Sequence, residues 1–286
     1  MRNISEILKN YSLSNIEDVE RIQFSHNRLL WDEKNLNDIV PNNHIYEIKS
    51  NLIKYKLSDF HNLKVFDAST LRMEDINDDF FNDSNLEKFE FRNGKIRLQK
   101  SFTSLKNLKE LNLFDVKISS LPKNIGDLKK LEFIRLSQTN IKKLPDSFSE
   151  LNNLKSLTIY NKLESLDNII IPENLIELDC RGNKISFIPD DIFKASKLEV
   201  VDFSSNPITK ISLIKNNNIK KFSIRDTPIG IYKKNILKLK KLFPNGEVVG
   251  GSRYCEDTNG FIYLGHCKKE PNRGQFFEKD FDRFKL

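Results

Sequence analysis

The sequence predicts an α/β solenoid: a curved arc with a parallel β-sheet on its concave face and loops or short helices on its convex face. Three observations carry this. Apolar residues recur at an offset of 23, so that Leu108, Leu111, Leu113 and Ile118 return as Leu131, Ile134, Leu136 and Ile141. A second motif keeps the same register: Leu121-Pro122, Leu144-Pro145 and Ile188-Pro189 each begin 13 residues after their repeat starts, and Ile125, Phe148 and Ile192 follow at 17. The 286 residues are 38% hydrophobic and 30% charged, which is lean for two globules with closed cores and suits an elongated shape with much exposed surface.

The apolar positions 1, 4, 6 and 11 return again as Leu175, Leu178, Cys180, Ile185 and as Leu198, Val201, Phe203, Ile208, with Asn183 and Asn206 at position 9. This pattern resembles the leucine-rich repeat, LxxLxLxxNxL. The resemblance covers residues 19–230 in ten units, starting near Val19, Asn43, Leu63, Leu86, Leu108, Leu131, Leu154, Leu175, Leu198 and Ile219. In that family the position-9 Asn satisfies backbone groups of the turn leaving the strand, which are otherwise buried without partners. The column here includes Leu71 and Val116, which cannot do this, so irregular turns are expected in the repeats from 63 to 131.

Each element follows from the repeat. Side chains alternate along a strand, so positions 4 and 6 share the buried face while positions 5 and 7 point outward. One repeat cannot bury its own apolar row, and neighbours therefore stack. Ten strands at roughly 4.8 Å spacing make a face on the order of 45 Å long, the scale of a macromolecular partner. Both ends need covers. Residues 1–18 supply a helical cap, with Ile4, Ile7, Leu8 and Tyr11 at helical spacing and a capping box from Ser14 to Glu17. Residues 231–250 supply a C-terminal capping helix and strand, in which Tyr232, Ile236, Leu239 and Phe243 pack and Lys233, Lys234, Lys238, Lys240 and Lys241 are solvated. Residues 251–286 read as a hairpin plus a tail helix with Phe277, Phe281 and Phe284 in one stripe, either folded back over the last repeat as core or exposed to a partner or a membrane surface.

The net charge of +7 is local, because residues 210–242 carry ten basic residues and one acid while the rest of the chain is near balance. The bland reading is a lysine-clad capping helix; the sharper one is a site for an anion or nucleic acid. No run reaches the length of a membrane span, and the first residues lack a signal peptide's apolar stretch, so the chain is expected to be cytoplasmic or secreted without a classical signal.

Enzymatic chemistry finds little support. The four histidines are scattered in the repeat register, and no set of titratable groups converges at a recognisable spacing, so no catalytic, metal or cofactor residue is assigned. Cys180 occupies core position 6 and is expected to be an inert buried thiol. With Asn259-Gly260 as a two-residue turn, Cys255 falls opposite Leu264 and Cys267 opposite Ser252, which disfavours a disulfide between them.

The outward columns hold the candidate site. Phe114, Phe133 and Tyr160 are outward aromatics of three successive repeats, expected to cluster around Arg135, with Arg92, Arg181, Asp67, Glu90, Asp179 and Asp202 flanking them. Aromatic and Arg anchors ringed by polar residues are typical of protein interfaces. The expected function is a non-enzymatic scaffold binding a protein partner on the concave face. Acidic position-5 residues on both flanks disfavour a phosphate ligand there. A bacterial effector acting on host proteins is a further reading from family analogy, and the oligomeric state is left open.

Overall fold

The computed structural model describes residues 21–25, 28–33, 36–40, 62–69, 72–73, 79–82, 84–167, 170–211 and 214–251. The expected cap over 1–18 and the expected hairpin and tail beyond residue 251, with Cys255, Cys267, Phe277, Phe281 and Phe284, lie outside them. The chain divides into two compact units, Met1–Leu154 and Lys155–Leu286.

In the first unit the strands are β1 (Arg21–Ser25), β2 (Arg28–Glu33), β3 (Leu36–Val40), β4 (Val65–Ser69), β5 (Arg72–Met73), β6 (Lys88–Ile96), β7 (Glu110–Val116) and β8 (Phe133–Ser137). Parallel pairing runs through β1, β4, β6, β7 and β8, with β5 beside β6. The register aligns position 4 across repeats, placing Phe66, Phe89, Leu111 and Ile134 side by side, and position 6 likewise with Ala68, Phe91, Leu113 and Leu136. All eight are fully buried. Unequal repeat lengths are thus absorbed in the returning loops, while the LxL stretches stay in step.

Two features depart from the expected pattern. β1 pairs directly with β4, Ile22 opposite Phe66, where the repeat spacing put the unit beginning at Asn43 between them. β2 and β3 extend the sheet from β1 in antiparallel fashion, so the ladder changes direction at this end. The core here is aromatic: Phe89 stacks on Phe66 at 5.4 Å and on Phe91 at 6.2 Å, while Phe81 meets Phe80, Phe89 and Phe102 edge-on at 5.0, 5.8 and 5.1 Å. Such contacts add about 0.5–1.5 kcal/mol each beyond the burial itself.

The Leu-Pro motif starts the returning segment. Leu121 and Leu144 are buried, and each motif is followed by a 3-10 turn, Ile125–Asp127 and Asp146–Glu150, that buries Ile125 and Phe148 completely. Pro145 occupies the N-cap with an extended backbone, where its missing N–H costs nothing. Neighbouring turns approach closely at Gly126, where a Cβ would collide with the Ser147 carbonyl oxygen and the Glu150 side chain. The Gly126 N–H donates to Ser147 Oγ at 3.2 Å.

The second unit contains β9 (Ser156–Tyr160), β10 (Glu177–Asp179), β11 (Phe187–Ile188), α1 (Asp190–Lys194), β12 (Val200–Asp202), β13 (Lys210–Ile211), β14 (Lys221–Ser223), α2 (Lys233–Leu242) and β15 (Glu247–Val249). Parallel pairing joins β9, β10, β12, β14 and β15, aligning Leu157, Leu178, Val201, Phe222 and Val248 as one buried rung. A short second sheet pairs β11 with β13.

Here the Asn ladder explains its own spacing. Asn183 donates through Nδ2 to the carbonyls of Ile159 at 2.7 Å and Cys180 at 2.8 Å, and its Oδ1 accepts from the N–H groups of Asn161 and Leu163 at 3.0 Å each. Asn206 repeats this toward Cys180 and Phe203 and accepts from the Ile185 N–H. A single amide thus satisfies its own turn and the preceding repeat. In the last repeat, Thr227 takes a share of that work by donating to Ile224 O and accepting from Gly230 N.

The turns of the repeats starting at 86, 108 and 131 share one backbone form although they lack the Asn, which corrects the expected irregularity for these three; the Leu71 turn lies outside the described residues. Position 8 adopts a left-handed backbone at Asn93, Asp115 and Gln138 (φ 49°, 50° and 53°) as it does at Gly182, Ser205 and Asp226 (66°, 57° and 54°). Position 8, one residue before the Asn column, therefore carries the turn, and four of the six are Asn, Asp or Gly, the types that tolerate φ > 0. Val116 is simply buried as one more core residue.

Helix α2 packs Leu239 and then Phe243 inward, with the Phe243 ring 4.9 Å from Phe222 and 5.5 Å from Phe193. It stops before Pro244, which disfavours helical backbone at the preceding residue. Its five lysines are exposed and Tyr232 and Ile236 are half-buried. Asn235 is fully buried, unanticipated for a polar residue, and donates to the Ile229 carbonyl at 3.1 Å.

Candidate functional site

On the first unit, the outward residues form three rows across β4, β6, β7 and β8. Position 3 holds Lys88, Glu110 and Phe133; position 5 holds Asp67, Glu90, Asn112 and Arg135; position 7 holds Arg92, Phe114 and Ser137 beyond Ser69. The rows are not uniformly open. Asp67, Glu90 and Asn112 are buried although they point away from the core, Glu90 being only 4% exposed. Long neighbours on strands about 4.8 Å apart cover them.

Glu90 is the hub of this packing. It forms an ion pair with the Arg92 guanidinium on the same strand, lies 3.4 Å from Lys88 Nζ, and accepts a long 3.5 Å hydrogen bond from Asn112 Nδ2. Lys88 also reaches Glu110 at 3.1 Å. Arg92 lies over the Phe114 ring, 5.3 Å from its centroid, leaving that ring half-buried. Arg92 and Phe114 are therefore brought together.

Phe133 and Phe114 are not. The ladder partner of Phe114 is Ser137, four residues along β8 from Phe133, so the two rings sit roughly 13 Å apart along the strands. Arg135 lies between these levels. Phe133 is 37% exposed, and Arg135 is exposed as well. Among the described residues the Arg135 guanidinium has no ion pair or hydrogen bond to another side chain.

On the second unit, Tyr160 ends β9 and is 46% exposed. Its ring lies against Gly182, where a Cβ would collide with the ring edge. Gly182 is thus required twice, for that close approach and for its φ of 66°. Asp179 receives Arg181 Nε on both oxygens, at 2.9 and 2.8 Å, and also the Arg181 N–H at 3.1 Å. This hydrogen-bonded carboxylate raises the guanidinium pKa and fixes its charge. Asp202 is held by the Ser204 N–H at 2.8 Å. The flanking charges are locally paired or tied to their own backbone.

The burial of the Glu90 row was missed by the alternation rule, which equates outward with exposed. The signal was present in Lys88-Phe-Glu90-Phe-Arg92, two cations bracketing one acid on a single face. Burial pushes the Cys180 thiol far up, which keeps it protonated and unreactive. Among the described residues no group of His, Cys, Asp or Glu is arranged to hold a metal, and no helix is long and apolar enough to cross a membrane.

Among solved structures, the chain is similar to a leucine-rich repeat protein of Leptospira interrogans, at 22% identity over 67% of this chain and 62% of that one, with a TM-score of 0.41. It is also similar to the leucine-rich repeat ectodomain of the plant membrane receptor kinase GASSHO1/SCHENGEN3 from Arabidopsis thaliana, solved in complex with Casparian strip integrity factor 2. That likeness is at 17% identity over 68% of this chain and 27% of that one, with a TM-score of 0.45. The chain thus spans less than two thirds of either protein's length. No curated protein matches it. The model of the leucine-rich repeat region matches residues 44–204, more than half of the chain. With its rungs of buried LxL residues and its Asn ladder, the chain belongs to the leucine-rich repeat family.

Proposed function

We propose that the protein is a non-enzymatic scaffold that binds another protein through the outward face of its strands. The observation that carries this reading is Phe133, a large apolar side chain left open on β8 beside exposed Arg135, on a face whose other long side chains are engaged with one another. Phe114 and Arg92 lie on the same face of the first unit, at the far end of the strands from Phe133. Tyr160, Asp179, Arg181 and Asp202 are the corresponding candidates of the second unit, considered on their own. Family membership supports an interaction module, and aromatic and Arg anchors are where protein interfaces concentrate their energy. Quantitative affinity purification from the source cells tests it. Partners retained by the wild type should be lost or depleted with Phe133→Ala and kept with Lys129→Ala, which alters an exposed residue outside the three rows. Equal recovery with both variants removes this face.

A second reading rests on α2. Lys233, Lys234, Lys238, Lys240 and Lys241 are all exposed, and no acid occurs between Asp226 and Glu247. This supports a weak polyanion site. Binding of a single-stranded oligonucleotide should then fall steeply with salt and vanish when Lys233, Lys234, Lys240 and Lys241 are changed together. Salt-insensitive binding, or none, dismisses it.

A further inference from the structure

We infer that the protein partner presents an acidic side chain next to an apolar one, the carboxylate on Arg135 and the apolar group on Phe133. This rests on the scaffold reading above and specifies the chemistry of what is bound.

The argument is one of unequal charge satisfaction. Three cations stand in the rows across β4, β6, β7 and β8: Lys88, Arg92 and Arg135. Lys88 is shared by Glu90 and Glu110, and Arg92 is held by Glu90 while lying on Phe114. Arg135 has neither an acid nor a ring among the described residues. Its ladder neighbour is the neutral Asn112, whose amide is turned toward Glu90. Glu90 itself is two strands away and already engaged by three groups, and Glu110 on the adjoining strand is paired with Lys88. Position 5 therefore runs from Asp67 and Glu90 through Asn112 to an unmatched positive end.

Arg135 also has the right neighbour. Phe133 is two residues earlier on the same strand, so both side chains project from one face with their Cα atoms roughly 7 Å apart. A guanidinium offers a planar fork that a carboxylate can accept in bidentate fashion, while the exposed ring excludes water from one flank of that pair. A segment with Asp or Glu adjacent to a Leu, Phe or similar residue meets both requirements. A bare phosphate backbone uses only the first.

The experiment is selection of a randomised linear peptide library on the full chain, followed by titration of synthetic winners against the wild type, Phe133→Ala, Arg135→Gln and Arg135→Glu. Circular dichroism establishes that each variant is folded. The expected winners carry an acidic residue beside an apolar one, lose roughly tenfold in affinity or more with Arg135→Glu, and lose much less against Arg135→Gln when their acid is changed to the amide than they lose against the wild type. Winners without an acid, winners indifferent to Arg135, or no enrichment would overturn the inference. If binding depends on Phe133 but not on Arg135, the acidic-partner inference fails and the scaffold reading stands. If it depends on neither, both fail. Competition at Arg135 by a single-stranded oligonucleotide with a steep salt dependence would instead assign the site to a polyanion.

Discussion

Asn183→Leu isolates what the Asn ladder contributes, because leucine matches asparagine in shape and removes every hydrogen bond. Asn183 serves the Ile159 and Cys180 carbonyls and the Asn161 and Leu163 N–H groups. The Cys180 carbonyl keeps a second donor in Asn206 at 2.8 Å, so three backbone groups are left without this partner. At about 1 kcal/mol each, the low end for an orphaned buried group, the loss is about 3 kcal/mol. Added apolar burial returns up to about 1 kcal/mol, for a net destabilisation of about 2 kcal/mol or more. Urea unfolding followed by far-ultraviolet circular dichroism reads the total, and native-state hydrogen exchange reads the Asn161 and Leu163 amides individually. Asn245→Leu is the comparison, since it removes one exposed bond to the Asn217 carbonyl and should cost about 0.5 kcal/mol or less. If the two substitutions cost the same, or if the two amides exchange no faster in Asn183→Leu, the ladder does not act as described.

Gly182→Ala should destabilise the second unit by about 1–2 kcal/mol from its left-handed backbone alone, with a further loss from the displaced Tyr160 ring. Tyr160→Ser in the same chain should recover only the second part, as thermal melts of the two variants will reveal. Phe81→Ala should cost about 3–5 kcal/mol in urea titrations, because it empties a fully buried site ringed by Phe80, Phe89 and Phe102. The Cys180 thiol is raised in the folded state, so the folded chain holds its proton after the unfolded chain has released it. Its contribution is complete below the ordinary thiol pKa, near pH 8.5, and falls by about 1.4 kcal/mol per pH unit above it. Cys180→Val should flatten that alkaline slope in stability measured against pH.

Core and turn differ in how far they could be read from residues. Positions 4 and 6 were legible because burial on a strand follows strict alternation, and Leu111, Leu113, Leu178 and Val201 obey it. The Pro register was legible because proline marks one backbone geometry. Phe80 and Phe81 were not legible as core, since they lie in an irregular segment with no period to mark them. Position 8 was overlooked because its constraint is a backbone angle that Asn, Asp, Gly, Ser and Gln all meet here, which blurs the column. On the candidate face, Phe133 and Arg135 were legible from alternation alone. Which charges cancel was not, because Glu90 takes its partners from two strands and its burial depends on the lengths of its neighbours.

Incorporating a photo-reactive amino acid at position 133, and in a separate chain at position 129, tests the use of the outward face most directly. Lys129 is exposed too, but it pairs with Glu150 on the returning 3-10 turn at 3.0 Å. Irradiation in the source cells should yield a discrete protein adduct from position 133 and none from position 129. Adducts from position 129 alone, or the same adducts from both, would contradict partner binding on the strand face.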